Sequence, residues 1–114
     1  MIHFRDFWPF YVSQHLLRIN RYIHVFGTLG LYATLALGSF VDRNFFWLLF
    51  LFPYGILFLG HFLFERNRPA TLKGPVYALL SVFGDHKMVF LMLTGKMDAE
   101  IERLRRENKL RIRP

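Results

Sequence analysis

The stretches YIHVFGTLGLYATLALGSFV (residues 22–41) and NFFWLLFLFPYGILFLGHFLF (residues 44–64) contain no Lys, Arg, Asp or Glu. Each is about the ~20 residues that a membrane-spanning helix needs. Only Asp42 and Arg43 separate them, so the chain has to turn back at once and the two runs pair as an antiparallel hairpin. Residues equidistant from the turn then share a depth. His24 lies 18.5 positions before the turn midpoint at 42.5, and His61 lies 18.5 positions after it. Both imidazoles are expected at the open end of the hairpin, with His15 a few residues upstream. Histidines are unusual at a membrane boundary, and imidazole is the commonest protein ligand for transition metals.

Composition points the same way. Of the 114 residues 54% are hydrophobic and 18% aromatic, with 14 Phe. Mean hydropathy is +0.25 although 20% of the chain is charged. A soluble chain of this size could not easily bury both runs on all sides, whereas lipid accepts them. The expected fold class is all-α: an integral membrane helical hairpin of two spans, with flanking interfacial or re-entrant helices forming a small bundle. The net charge of +7 sits outside the runs, on Arg5, Arg18 and Arg21 before the first and on Arg66, Arg68, Lys73, Lys87 and Lys96 after the second. By the positive-inside rule both termini face the cytoplasm. Nucleic acid, the usual rival explanation of a pI near 10.3, is set aside because the basic residues flank apolar spans and form no basic face of their own. The chain has no Cys, which excludes disulfides and thiolate-held zinc or iron–sulfur centres. Residues 1–10 mix charges, aromatics and Pro9 without the pattern of a secretory signal.

Residues 2–19 alternate aromatic and polar groups and read as a helix lying in or dipping from the interface. Gly30, Thr34 and Gly38, at a spacing of four, form a small-residue stripe whose expected task is to pack the hairpin. Pro53 and Gly55 predict a kink in the second run. Residues 75–93 are apolar apart from Asp85, His86 and Lys87, and the cost of those three at mid-membrane favours an interfacial or re-entrant helix over a third crossing. Residues 1–97 are expected to form one membrane-embedded domain. Residues 98–114 are expected to be a charged cytosolic helical tail, solvated or held at lipid headgroups, with Ile101, Leu104 and Leu110 as a sparse apolar face.

His61 and Glu65 are four apart and share a helix face, as do Asn20 and His24. His15 and His24, nine apart, fall on opposite sides of one straight helix. They converge only if the chain bends between them, near residues 18–21. Imidazoles with a carboxylate and an open coordination position describe an oxygen-activating Fe(II) site, although zinc suits the same donors. Asp85 and His86 are further candidates because of their place in an apolar segment. His3 reads as a surface residue. The HxxHH-type boxes of membrane desaturases are absent from the sequence.

Three segments in order, FYVSQHLLRINRYIHVFGT, GHFLFERNRPAT and SVFGDHKMVFLMLTGKM, resemble the small bacterial membrane proteins related to the fungal endoplasmic-reticulum 2-hydroxy-fatty-acid dioxygenase. The resemblance implies Fe(II)-dependent alpha-oxidation, in which oxygen cleaves the bond beside the carboxyl of a 2-hydroxy fatty acid and leaves an acid one carbon shorter. His15, Asn20, His24, His61, Glu65, Pro69, Ala70 and Asp85 match the motif positions; His86 stands where an apolar residue is common. On this reading His15, His24 and His61 hold the metal and Glu65 or Asp85 is a fourth ligand or orients an imidazole. Arg21 or Arg68 would pair with the substrate carboxylate. The partners implied are a fatty acid and O2, in the bacterial inner membrane. The competing expectation is a metal- or lipid-binding membrane protein without turnover.

Overall fold

The computed structural model describes residues 3–50, 54–67 and 73–110. The described chain is all-helical. Helix α1 spans Phe4–Ser13 and α2 spans Arg18–Phe40; a 3-10 helix covers Arg43–Phe50. Helix α3, Tyr54–Leu59, runs into a π-helical turn at Gly60–Glu65, and α4 (Pro75–Leu93) and α5 (Met97–Arg106) complete the bundle.

Helix α2 is patterned inside out. Its buried residues are small or polar: Asn20, Arg21, His24, Gly27, Thr28, Thr34 and Gly38. Its large side chains, among them Tyr22, Phe26, Leu29, Tyr32 and Phe40, are exposed. Small inner residues let the returning chain come close, and a Cβ on Gly38 would collide with the Phe46 ring. Helices α2 and α4 are both long and apolar enough to cross a membrane, and only 28% of the most apolar window of each is buried in the bundle. A helix serving as a soluble core would be mostly buried, so these outer faces suit an apolar medium.

The hairpin expected from the sequence is present as a path, but its second arm is not one helix. It is 3-10 over Arg43–Phe50 and α over Tyr54–Leu59, and it turns to π at Gly60. Gly55 lies in the first turn of α3, where its backbone freedom costs helix stability; Pro53 lies outside the described residues. The segment expected as an interfacial or re-entrant helix is α4, an unbroken 19-residue helix. Two of its charged residues are met by neighbours: Asp85 turns inward onto α2, and the Lys87 ammonium lies 4.4 Å from the centre of the Trp8 ring. Pro75 starts the helix at a position where a missing N–H costs nothing.

The apolar core lies between α1, α4 and α5. Phe7, Trp8, Tyr11 and Val12 of α1 meet Met88 of α4 and Met97, Ile101 and Leu104 of α5. Burying side chains of this size contributes roughly 1.5–3 kcal/mol each. Helix α1 is therefore packed into the bundle, and the first turns of the charged tail are docked on it rather than solvated. Trp8 Nε1–H donates to Glu100 Oε2 at 2.7 Å across that contact.

Candidate metal centre

Helix α1 ends at Ser13 and α2 begins at Arg18, so the bend that the spacing of His15 and His24 demands falls just before the expected place, with His15 inside it. Arg21 fixes this turn: its Nη1 donates to the carbonyls of His15 and Leu16 at 2.9 and 2.8 Å. From the other side the Glu65 carboxylate accepts the Leu17 amide at 2.6 Å. That is a carboxylate at the N-terminus of α2, where the helix dipole favours negative charge.

Three rings converge behind this turn. His15, His24 and His61 are 0%, 3% and 2% exposed. His15 Nε2 lies 3.1 Å from His24 Nε2, which lies 3.3 Å from His61 Nε2. The pairing of His24 with His61 is the juxtaposition that counting from the hairpin turn requires. The π turn contributes to it by widening the backbone at His61. It closes with Arg66 in the left-handed region, φ 57°, and with the Asn67 amide donating to the His61 carbonyl at 3.1 Å.

The opposite ring nitrogens identify the tautomers. His15 Nδ1 faces the Tyr11 carbonyl at 2.6 Å, His24 Nδ1 faces Asp85 Oδ1 at 3.0 Å, and His61 Nδ1 faces Asn67 Oδ1 at 2.8 Å. The Asn67 amide is oriented by its own N–H, which donates to the Gln14 carbonyl at 3.1 Å. All three partners are acceptors, so each Nδ1 carries the proton and each Nε2 presents a lone pair toward the others. Burial, reinforced by the neighbouring imidazoles, holds His15 well below the usual histidine range. Three converging lone pairs repel unless a cation lies between them.

A metal ion fits. With metal–nitrogen bonds of about 2.1 Å, adjacent imidazole nitrogens stand about 3.0 Å apart at a right angle and about 3.4 Å apart at the tetrahedral angle. The separations of 3.1 and 3.3 Å lie in that interval. The three donor atoms lie within 4.8 Å of one another and could hold a metal ion. Three protein ligands leave coordination positions free, as reactive rather than purely structural sites do.

The remaining candidates separate clearly. Asp85 is joined to the centre through His24 and also accepts the Thr28 hydroxyl. Asn20 is fully buried beside Gly60, where any Cβ would strike its amide oxygen. Glu65 is engaged with the Leu17 amide, and burial raises its carboxyl above the usual range. Arg21 is committed to backbone carbonyls. His86 is not one of the three converging rings: its Nδ1–H donates to the Val82 carbonyl, and the exposed Tyr32 hydroxyl donates to its Nε2. His3 is exposed. Arg68, Pro69 and Ala70 lie outside the described residues. Sequence reasoning missed Asn67, Thr28 and the Tyr11 carbonyl, the groups that hold the imidazoles or the carboxylate behind them. An Asn just past the end of a helix that carries a histidine is the one signal that could have pointed to Asn67.

Fold and centre together define a class: an all-helical protein with an apolar outer surface and a buried three-imidazole site able to hold a metal ion. The family model described as 2-hydroxy-palmitic acid dioxygenase Mpo1-like matches residues 1–97, and the chain belongs to that family. No curated protein and no solved structure matches it.

Proposed function

We propose that this protein is a membrane-embedded, Fe(II)-dependent dioxygenase that shortens 2-hydroxy fatty acids by one carbon. The observation that carries the reading is the set of three buried imidazoles, each with Nδ1–H held by an acceptor and Nε2 turned to a common point, in a chain of this family. His15, His24 and His61 would hold the iron, and the Tyr11 carbonyl, Asp85 and Asn67 keep the rings in the binding tautomer. Bound iron would supply the open positions at which oxygen and the hydroxyl and carboxylate oxygens of the substrate are brought together. The reaction needs no further reductant: a 2-hydroxy acid and O2 carry the same atoms and electrons as the acid one carbon shorter, CO2 and water.

The chain's own groups do the positioning. Asp85, fixed by Thr28, keeps His24 oriented and places a compensating negative charge behind it. Arg21 or Arg68 would pair with the substrate carboxylate, since guanidinium matches a carboxylate bidentately; Arg21 also donates to two carbonyls. The acyl tail would lie along the exposed apolar faces of α2 and α4, in the bacterial inner membrane, with both termini cytoplasmic.

The test is metal analysis of anaerobically purified protein followed by oxygen uptake with 2-hydroxypalmitate. One iron per chain, and formation of the acid one carbon shorter with uptake of one O2, are expected. Stoichiometric metal without oxygen uptake would leave a metal- or lipid-binding protein, and a metal-free protein would reject the centre.

A further inference from the structure

We infer that Gly84 and Tyr11 form a seat that fixes the position of His15 at the centre, so that α4 governs two of the three imidazoles through adjacent residues. The inference rests on the reading of the three rings as metal ligands and extends it to two residues that touch no metal.

The Tyr11 ring stacks on the His15 imidazole, with centroids 4.1 Å apart and planes inclined by 26°. The Tyr11 carbonyl accepts the His15 Nδ1–H. One residue therefore controls both the plane and the tautomer of this ring. His15 lies in the turn between α1 and α2, where no helical backbone fixes it, so an outside support has to define its place. Tyr11 is itself wedged. Trp8 stacks on it at 6.0 Å and 15°, Phe7 lies 5.8 Å away, and the remaining side is the bare backbone of Gly84.

Gly84 lies within α4, where glycine costs about 1 kcal/mol relative to alanine. Its virtue is the missing side chain: a Cβ there would stand 3.1 Å from Cδ2 and Cγ of Tyr11 and 3.3 Å from Cδ1. Those atoms belong to a rigid ring held on its other sides by Trp8 and Phe7, so a methyl group would displace the ring, and His15 with it, by a few tenths of an ångström. The next residue, Asp85, holds His24. A shift of α4 thus reaches His24 through a hydrogen bond and His15 through a stacked ring. Tyr11 and Gly84 are positioning residues and do not take part in the chemistry.

The experiment is a Co(II) titration of the full chain in detergent micelles, with affinity and the visible d–d spectrum as readouts, for wild type, Gly84→Ala, Tyr11→Phe, Tyr11→Leu and the double variant Tyr11→Leu/Gly84→Ala. Loss of a group that orients a metal-binding imidazole weakens metal binding by roughly 10–100-fold. Gly84→Ala and Tyr11→Leu should each weaken Co(II) binding by about tenfold or more on that scale and alter the spectrum. Tyr11→Phe, which keeps the ring, should match wild type. With the ring gone the methyl group has nothing to strike, so the double variant should bind like Tyr11→Leu alone. Gly84→Ala with wild-type affinity and spectrum, or a methyl effect that persists undiminished in the Tyr11→Leu background, would overturn the seat alone. A wild-type protein that binds no Co(II) would overturn the metal centre and the seat with it. Should Gly84→Ala not fold, a Tyr11→Leu protein with the wild-type spectrum overturns the inference just as directly.

Discussion

His24 and Asp85 are 61 residues apart in sequence and meet at 3.0 Å, Nδ1 to Oδ1, inside the bundle. The contact joins α2 to α4, and it explains how α4 carries an acidic residue in an apolar stretch without disrupting the helix. The carboxylate is shared between an imidazole N–H and the Thr28 hydroxyl.

Replacing this acceptor should be felt as metal affinity. Asp85→Asn keeps the shape but loses the charge that stabilises the Nδ1–H, and the expected loss is roughly 10–100-fold in affinity for Zn(II) or Co(II). Thr28→Val removes only the second hydrogen bond to the carboxylate and should cost less. Competition titration with a chromophoric chelator measures both.

His61 and His86 should behave differently although both lie in apolar segments. His61→Ala removes a donor from the centre, and metal stoichiometry and oxygen uptake should fall together. His86→Ala loses a hydrogen bond from the exposed Tyr32 hydroxyl, and both readouts should stay at wild-type level. Metal analysis of the two variants side by side separates a ligand from a bystander.

Glu65 should act as a helix cap. Glu65→Gln weakens the interaction with the Leu17 amide and the α2 N-terminus, with an expected cost of about 1 kcal/mol, the usual magnitude for an N-terminal cap. Metal content should not change. Thermal melting together with metal analysis checks this, and a metal-free Glu65→Gln protein that still melts like wild type would instead make the carboxylate a ligand.

Acid should loosen the docking of α5. Hydrogen bonds from Arg103, and secondarily from Trp8, lower the Glu100 carboxyl below its usual range. The folded state therefore holds the proton less tightly than the unfolded one. The resulting stabilisation is complete above the ordinary carboxylate value and is lost as pH falls through the folded one. Melting temperatures measured from pH 6 to pH 3 should fall more steeply for wild type than for Glu100→Gln. The two should differ by about 1 kcal/mol at the upper end, as expected for one partly buried hydrogen bond to a charged group.

The parts of the fold that were legible are those set by counting. A two-residue turn fixes register, and register brought His24 and His61 together; a nine-residue interval fixed the need for a bend between His15 and His24, expected near residues 18–21 and found just before them. Other features depend on tertiary partners that no local pattern encodes. The cost of Asp85, His86 and Lys87 was reckoned residue by residue, whereas in the folded chain Thr28, His24, Tyr32 and Trp8 meet them and α4 runs on unbroken. The apolar residues of α5 looked sparse, yet Met97, Ile101 and Leu104 join one buried cluster with residues of α1 and Met88 of α4. Asn67 escaped notice because its role depends on the π turn, whose extra residue leaves no periodic trace.

Helix α2 gives its bulk to the outside and keeps its small and polar residues for the inside, so the chain alone does not complete its own hydrophobic packing. In the proposed membrane setting, surrounding hydrocarbon would supply the missing half. How firmly the three imidazoles are held would then be a joint property of protein and host film, and a change of acyl thickness or of detergent should register at the centre without any residue being altered.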